Sequence, residues 1–150
     1  MLIQEMTREE SVALLSRNRL GRLACARAGQ PYITPINFGH AGDCLYSFAT
    51  VGQKIEWMRT NPLVCIEADE IENSNKWASV IVLGRYEELP NAPAFEEARQ
   101  VANTLLQRHP LWWEAGYAKT ILDGRPRELE LVHFRIHMAH ISGHRANRDG

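Results

Sequence analysis

The chain has 150 residues, of which 45% are hydrophobic and 23% are charged, and its formal net charge is −1. This length fits one domain that can bury enough surface to fold without a disulfide or a metal. The near-zero charge provides no global field toward nucleic acid or an anionic membrane, so a site for an anion has to be local.

The cysteines and the N-terminal residues argue against membrane and disulfide-dependent classes of protein. Residues 1–10 have no apolar core of a signal peptide, and no run approaches the ~18 apolar residues of a membrane span. Cys25, Cys44 and Cys65 lie far apart without a CxxC pair, so we expect reduced thiols on half-buried strands. These features predict a cytoplasmic protein with no membrane or nucleic-acid partner.

The first part of the chain predicts a helix, three strands and a second helix. Thr7 and Glu10 have the spacing of a capping box, which opens a helix that ends by Asn18. Asn61 stands before a proline and therefore ends the second helix. The predicted ranges are strands over residues 20–28, 32–38 and 44–48, a turn over 39–43 and a helix over 52–59.

The rest of the chain predicts two strands, a helix and a last strand. The run Val80-Ile81-Val82-Leu83 is too apolar for a solvent-facing side, which places its strand centrally in a sheet. Hydrophobic residues alternate with His133, Arg135 and His137 near the end of the chain, as in a half-buried strand. The predicted ranges are strand 63–68, polar loop 69–76, strand 77–86, helix 93–108, strand 129–140 and a loose tail over 143–150.

The order of these elements predicts the fold class. Consecutive strands between short helices argue against a doubly wound parallel sheet. A closed or nearly closed antiparallel barrel hides its edges best. We therefore expect a single domain over residues 1–150 that is mainly β with flanking helices.

The segment from Tyr46 to Lys54 carries the clearest chemical signal. It leaves a strand through small and hydroxyl residues and enters a helix, whose first N–H groups form a ready anion site. Lys54 lies in the first helical turn, where a cation opposes the helix dipole. An anion held between Lys54 and the backbone, with Ser47 and Thr50 adding hydroxyls, explains this placement. A solvated lysine beside an ordinary turn explains it equally well.

Five short motifs in sequence order indicate a family. They are Thr34-Pro35-Ile36-Asn37, Tyr46-Ser47, Gly52-Gln53-Lys54, Asn61-Pro62 and Trp77-Ala78-Ser79-Val80. Together they resemble the pyridoxamine 5′-phosphate oxidase-like family of FMN-binding split-barrel flavoproteins, over roughly residues 5 to 140. The resemblance implies an antiparallel, Greek-key-like split β-barrel that works as a homodimer with FMN at the subunit interface.

The resemblance also implies roles for individual residues. Ser47 and Lys54 would hold the FMN phosphate, with Thr50 and Gln53 nearby. The backbone of Thr34, Pro35, Ile36 and Asn37, together with that of Phe48 and Ala49, would line the flavin ring. Trp77 and Ser79 would reach the cofactor from the long strand, across the interface.

Two departures from the family pattern bear on the activity. The pyridoxamine phosphate oxidases end in an Arg/Trp-rich segment that residues 140–146 do not match, so vitamin B6 oxidation is not expected. The pattern is most similar to the nitroimidazole-reductase-like branch, in which a histidine often stands at the position of Ser47. The expected function is an FMN-dependent reductase that passes electrons from NAD(P)H to a small organic acceptor. The alternatives are a flavin or haem carrier or redox sensor, and a deazaflavin-dependent reductase.

Histidine and tryptophan positions leave smaller questions open. His133 and His137 share a strand face but lie about 13 Å apart at ~3.3 Å per residue, too far for one metal ion. We therefore expect no metal site. Trp112 and Trp113 form either a hydrophobic lid over the barrel or a wall near the partner's flavin.

Overall fold

The computed structural model describes residues 1–107, 119–122, 125–128 and 130–147. The helices in these ranges are α1 (Arg8–Arg17), α2 (Gln53–Thr60) and α3 (Glu96–Gln107), the last preceded by a 3-10 turn at Pro93–Phe95. The strands are β1 (Leu2–Glu5), β2 (Leu20–Arg27), β3 (Gln30–Asn37), β4 (Gly39–Ala41), β5 (Cys44–Thr50), β6 (Leu63–Asn73), β7 (Lys76–Glu88), β8 (Lys119–Leu122), β9 (Arg125–Glu128) and β10 (Leu131–Asn147). None of the helices in the described ranges is long and apolar enough to cross a membrane.

Eight of the strands in the described ranges form one antiparallel sheet. Its order is β3-β2-β6-β7-β10-β5-β4, and β1 pairs with the end of β10. The remaining strands, β8 and β9, form a separate hairpin. The sheet curls until β5 approaches β3, where the Ser47 hydroxyl donates a hydrogen bond of 2.5 Å to the Asn37 carbonyl. This arrangement confirms the predicted split barrel, mainly β with flanking helices.

The inner face of the sheet encloses the main hydrophobic core. Alternate residues of each strand point into it because successive side chains of a strand face opposite sides. α1 and α2 cover the core with Leu14, Leu15, Ile55 and Met58, all of them fully buried. The largest buried side chains from the strands include Leu23, Phe38, Leu45, Ile66, Val80, Phe134 and Ile136.

The outer face of the sheet has a covered part and a bare part. α3 covers β5, where Cys44 and Tyr46 belong to a second cluster with Leu106. Across β3 and β7 no described residue covers the outer face, and Ile33 and Leu83 are 64% and 49% exposed. The central position predicted for β7 is confirmed by its pairing with β6 and β10. The prediction that β7 has no solvent-facing side is wrong for the single chain.

The predicted polar loop over residues 69–76 is also wrong. β6 continues to Asn73, and a tight turn leads directly into β7 at Lys76. The acidic side chains of this stretch are tolerated in a strand because α1 neutralises part of their charge: Arg17 donates hydrogen bonds of 2.7 Å to both carboxylate oxygens of Glu70. The polar side chains of residues 69–76 were therefore not sufficient evidence for a loop.

The predicted turn over residues 39–43 contains the short strand β4, which pairs with the start of β5. The turn itself is reduced to Gly42-Asp43, and Gly42 has a φ of 58°, which favours glycine. Gly39 lies against α3, where an added Cβ would come within 2.7 Å of Leu105 Cβ. This close approach explains why glycine occupies the first position of β4.

The loose tail predicted over residues 143–150 is wrong for residues 143–147. Residues 143–147 belong to β10, which pairs with β7 and, in the register Leu2↔Asn147 to Glu5↔His144, with the unpredicted strand β1. Arg145 also forms an ion pair with Glu10 of α1. Residues 148–150 and the predicted boundaries at residues 108 and 129 lie outside the described residues.

Candidate functional site

The start of α2 has backbone donors that no side chain caps. Gly52 is the N-cap residue, with extended backbone and, among the described residues, no side-chain hydrogen bond to the helix. The Val51 N–H donates to the Glu130 carbonyl at 2.9 Å, which fixes the preceding turn beside the start of β10. Because the first N–H groups of a helix have no partner within it, this end of α2 can accept an anion.

Lys54 is the cation at this helix start. Its side chain is half-buried, yet it forms no ion pair or hydrogen bond with any described residue. Burial lowers the pKa of the Lys54 ammonium, and the nearby Cys25 thiol opposes that shift. Glu56, the acidic residue of the same turn, is exposed and makes no such contact either. A half-buried charge is costly unless it is paired, and no described residue pairs with Lys54, so this position can accept an anionic ligand.

Ser47 is placed differently from the phosphate-binding role predicted for it. Its side chain is buried, and its hydroxyl proton is donated to the Asn37 carbonyl at 2.5 Å. The hydroxyl therefore joins β5 to β3 across the opening of the barrel. Direct contact between Ser47 and a phosphate stays a prediction, and this hydrogen bond argues for a positioning role instead.

Asn37 contributes a group that the sequence analysis missed. Its side-chain nitrogen Nδ2 is buried and has no hydrogen-bond partner among the described residues. An unsatisfied buried donor is rare and marks a place where a ligand acceptor can bind. The sequence motif contained Asn37, but no signal in it distinguished the side-chain amide from the backbone.

The other residues predicted near the cofactor fall on both faces of their strands. Ile36 and Ala49 are buried in the main core, whereas Pro35 and Gln53 are exposed. The Phe48 side chain points to the outer face and lies 6.0 Å from the His133 ring. A ligand on the open side can therefore contact Ile36, Ala49 and Phe48 only through their backbone. Thr34 and Thr50 are half-buried at the ends of this group.

Trp77 and Ser79 do not join this group within one chain. Ser79 pairs with His144 of β10, whereas Ser47 pairs with Phe134 of the same strand. About ten residues of β10 separate these two levels, which is roughly 30 Å at ~3.3 Å per residue. The predicted reach of Trp77 and Ser79 to the cofactor therefore requires a second copy of the chain.

The histidine and arginine side chains of β10 have protein partners. His137 and Arg135 both contact Glu87. In the part of the chain that the structure describes, no group of three His, Cys, Asp or Glu residues is arranged to hold a metal ion. Trp112 and Trp113 lie outside the described residues.

The described geometry defines a class of protein: an antiparallel split barrel in which a hydrogen bond joins β5 to β3. Among the described residues, the start of α2 has no side-chain cap and the Asn37 amide at the end of β3 has no partner. A family model described as "Pyridoxamine 5'-phosphate oxidase" matches residues 7–145, and the chain belongs to this family. The family predicted from the sequence motifs is thereby confirmed.

The chain is also similar to three individual proteins. The uncharacterized protein RA0666 of Rhizobium meliloti is 39% identical over 146 residues, which cover 97% of each chain. The crystal structure of an FAD-binding protein from Mesorhizobium loti is also 39% identical, covers 98% of this chain and 100% of that one, and has a TM-score of 0.83. A candidate 5-nitroimidazole antibiotic resistance protein from Bacteroides thetaiotaomicron shares the fold at 18% identity, with a TM-score of 0.66 over 99% of this chain and 93% of that one.

Proposed function

We propose that this protein is a flavoprotein that binds FMN between the start of α2 and the end of β3. The observation that carries the proposal is the half-buried Lys54, which has no partner among the described residues and lies at an uncapped helix start. A phosphate monoester supplies the missing charge and accepts hydrogen bonds from the same backbone N–H groups. The family and the FAD-binding relative from Mesorhizobium loti support a flavin as the bearer of that phosphate.

The residues divide into a phosphate part and a ring part. Lys54 and the first N–H groups of α2 hold the phosphate, with Thr50 and Gln53 beside it. The ring part consists of the backbone of Thr34–Asn37 and the unsatisfied Asn37 amide, which can donate to a ring acceptor. Ser47 keeps Asn37 in place through the hydrogen bond between β5 and β3. When bound, a flavin supplies electron and hydride transfer, and the chain supplies binding and orientation.

We further propose that a second copy of this chain covers the bare outer face across β3, β6 and β7. Antiparallel pairing places Ile33, Cys65 and Leu83 in one row across this face, and Ile81 lies in the next row. The side chains of Leu83 and Ile81 are about half exposed. Apolar side chains exposed together on one face mark a protein–protein interface. The same dimer would carry the partner's Trp77 and Ser79 toward the flavin, which one chain alone does not do.

The proposed activity is a reductase that passes electrons from NAD(P)H to a small organic acceptor in the cytoplasm. Anaerobic NADH or NADPH is expected to bleach the visible absorbance of the bound flavin. If neither nucleotide changes that absorbance over an hour, the protein is a flavin carrier or redox sensor instead. The absorbance spectrum of the purified protein also distinguishes a flavin from a deazaflavin or a haem.

The decisive experiment replaces Lys54 with methionine and compares the binding of FMN and FAD with that of riboflavin. A hydrogen bond to a charged group contributes roughly 1.5–3 kcal/mol. At ~1.4 kcal/mol per decade, Lys54→Met is expected to weaken FMN binding by about 10- to 150-fold. Riboflavin has no phosphate, so its affinity should change little. Fluorescence titrations with FMN, FAD and riboflavin measure all three affinities.

A matched control is available on α1, the helix that has a capping box. Arg8 is an exposed cation in the first turn of α1, and Arg8→Met should leave all three affinities unchanged. Equal losses for FMN and riboflavin in Lys54→Met would assign Lys54 to the fold or the ring pocket and would reject the phosphate contact. An FAD affinity well above that of FMN would replace FMN by FAD as the cofactor.

The dimer has its own test. Leu83→Glu places a charge at the centre of the bare face, and light scattering should then report a monomer with much weaker flavin binding. Thr104 is exposed on α3, away from the bare face, so Thr104→Glu serves as the control. A wild-type protein that is monomeric at micromolar concentration with flavin bound would remove the shared site.

A further inference from the structure

Cys44 belongs to a row of polar side chains that the proposed flavin site does not use. His137 on β10 is the register partner of Cys44 on β5, and Glu87 lies on β7, the next strand. The Cys44 Sγ lies 3.4 Å from His137 Nδ1, and His137 Nε2 lies 2.9 Å from Glu87 Oε1. Three adjacent strands thus connect a thiol, an imidazole and a carboxylate in one hydrogen-bonded chain.

The carboxylate determines which imidazole nitrogen carries the proton. Burial alone would raise the pKa of Glu87, but hydrogen bonds from His137 and Arg135 outweigh it and leave the pKa below its ordinary value. An ionised Glu87 only accepts hydrogen bonds, so His137 donates from Nε2. In the neutral imidazole Nδ1 is then an acceptor, and the Cys44 thiol donates to it. The base is therefore already oriented by a third group, as in activated nucleophiles.

The surroundings of the thiol restrict what can reach it. Cys44 is 8% exposed and packs in the cluster under α3 with Leu89 and Leu106. Burial raises the pKa of the Cys44 thiol, and Arg135 partly opposes this. The thiol is therefore protonated at rest, and a reaction needs a base that removes the proton as the sulfur attacks. The small exposed fraction and the apolar surroundings of Cys44 favour a small, uncharged reactant.

We propose that Cys44 is a site of oxidation by hydroperoxides, activated by His137 and positioned by Glu87. The thiol proton moves to His137 Nδ1 while Sγ attacks one peroxide oxygen and the O–O bond breaks. The leaving hydroxide takes the proton back from the imidazole and becomes water. The sulfur is oxidised to a sulfenic acid and the peroxide is reduced, so hydrogen peroxide yields one water per thiol. This inference is independent of the flavin proposal.

Neither Cys25 nor Cys65 is placed to form a disulfide with the oxidised Cys44. Cys25 belongs to the main core, whereas Cys44 belongs to the second cluster under α3. In the pairing row that contains Cys44, β10 and β7 separate it from Leu63 of β6, the strand that carries Cys65. Three strand spacings amount to about 14 Å, whereas a disulfide needs Cα atoms within about 7 Å. The sulfenic acid therefore persists until an external thiol reduces it.

The test oxidises the full-length protein with hydrogen peroxide and traps sulfenic acid with dimedone, followed by peptide mass spectrometry. Cys65 is the internal reference in Leu83→Glu, in which the bare face is uncovered, because there it is more exposed than Cys44 and has no imidazole partner among the described residues. Cys44 is expected to be labelled faster than Cys65 in that variant. General bases contribute typically ~10²–10⁴-fold, so His137→Gln should slow Cys44 labelling by about 100-fold or more.

Two further variants separate activation from mere structural support. His133→Gln removes the other imidazole of the same strand, which does not contact the thiol, and should leave the Cys44 rate unchanged. Glu87→Gln should slow Cys44 less than His137→Gln, because the base remains but loses its orientation. Faster labelling of Cys65 than of Cys44, or equal slowing by His133→Gln and His137→Gln in proteins with unchanged circular dichroism, would overturn the proposal.

Discussion

The first turns of α1 and α2 have the same backbone N–H groups without partners inside the helix, but only α1 has described side chains that cap them. At α1, the Thr7 hydroxyl accepts from the Glu10 N–H at 3.1 Å, and Glu10 accepts from the Thr7 N–H at 3.2 Å. At α2 a glycine is the N-cap residue, no described side chain caps the helix, and Lys54 opposes the dipole. α1 thus satisfies its own end, whereas α2 keeps donors and a cation available.

Under the proposed function, α2 gives up part of the stability of a capped helix in order to bind an anion. A good N-cap residue contributes about 1 kcal/mol, and an acid near a helix start adds roughly 0.3–1 kcal/mol. The N-cap residue of α2 makes no side-chain hydrogen bond to the helix, and the first turn holds the half-buried ammonium of Lys54 together with the exposed Glu56. A protein whose α2 were only structural would gain from an ordinary cap, so each of the following changes compares the two helix starts directly.

The largest effect is expected for Gly52→Asp, which gives α2 the kind of cap that α1 has. Gly52 has extended backbone, and the nearest atom to an added Cβ is the Thr50 carbonyl oxygen at 3.9 Å, so the side chain fits. The new carboxylate occupies the proposed phosphate position, and repulsion at this range should lower FMN affinity by about 100-fold. Gly52→Ala is the control and should retain most of the affinity. Unchanged FMN binding in Gly52→Asp would contradict the site.

The converse change removes the cap from α1. Thr7→Ala leaves the Glu10 N–H without its acceptor and should lower the free energy of unfolding by about 1 kcal/mol. Urea denaturation followed by circular dichroism measures this loss. FMN affinity at temperatures well below the transition should not change. A drop in affinity would show that the two helix starts are not independent.

A smaller effect is expected for Lys54→Met in the protein without ligand. Removing a cation from the first turn should raise the free energy of unfolding by about 0.3–1 kcal/mol. Arg8→Met on α1 should change it less, because Arg8 is exposed and the helix is capped. Stabilisation without ligand combined with weaker FMN binding is the signature of a binding residue. A loss of stability would mean that Lys54 supports the fold.

The smallest effect concerns pH. The folded protein lowers the pKa of Lys54, so between that lowered value and the ordinary ~10.4 the unfolded chain binds more protons. The stability of the ligand-free wild type should therefore rise with pH through this window and fall again as pH decreases. The same urea series in Lys54→Met lacks this component, and the difference between the two curves isolates it. Parallel curves would contradict a buried, unpaired Lys54.

Much of this architecture could be predicted because local chemistry and tertiary packing agree. The capping box of α1 and the alternation around Phe134 both specify their elements without reference to the rest of the chain. The order of short motifs was enough to identify the family. The residues over 69–73 and 143–147 could not be assigned, because their strands depend on distant partners such as Arg17 and β1.

The sequence indicated which segments contain the candidate site, but not which side chains contact each other there. The placement of Lys54 followed from the start of a helix after a strand. The hydrogen bond from Ser47 to the Asn37 carbonyl and the unsatisfied Asn37 amide could not be predicted, because β5 meets β3 only when the sheet curls. Sequence spacing contains no information on that closure. The distance of Trp77 from Ser47 likewise follows from strand register, which only the structure provides.

The length of β10 has a consequence for how the chain acquires its shape. Residues 131–147 pair with β5, β7 and β1, which lie from about 50 to more than 140 residues earlier. The hairpins β2–β3 and β6–β7 can form early from local contacts, but the barrel cannot assemble before β10 leaves the ribosome. Folding dominated by such distant pairings is slow and leaves apolar strands exposed meanwhile. During synthesis, the incomplete sheet is therefore the stage at which this protein is most vulnerable to aggregation.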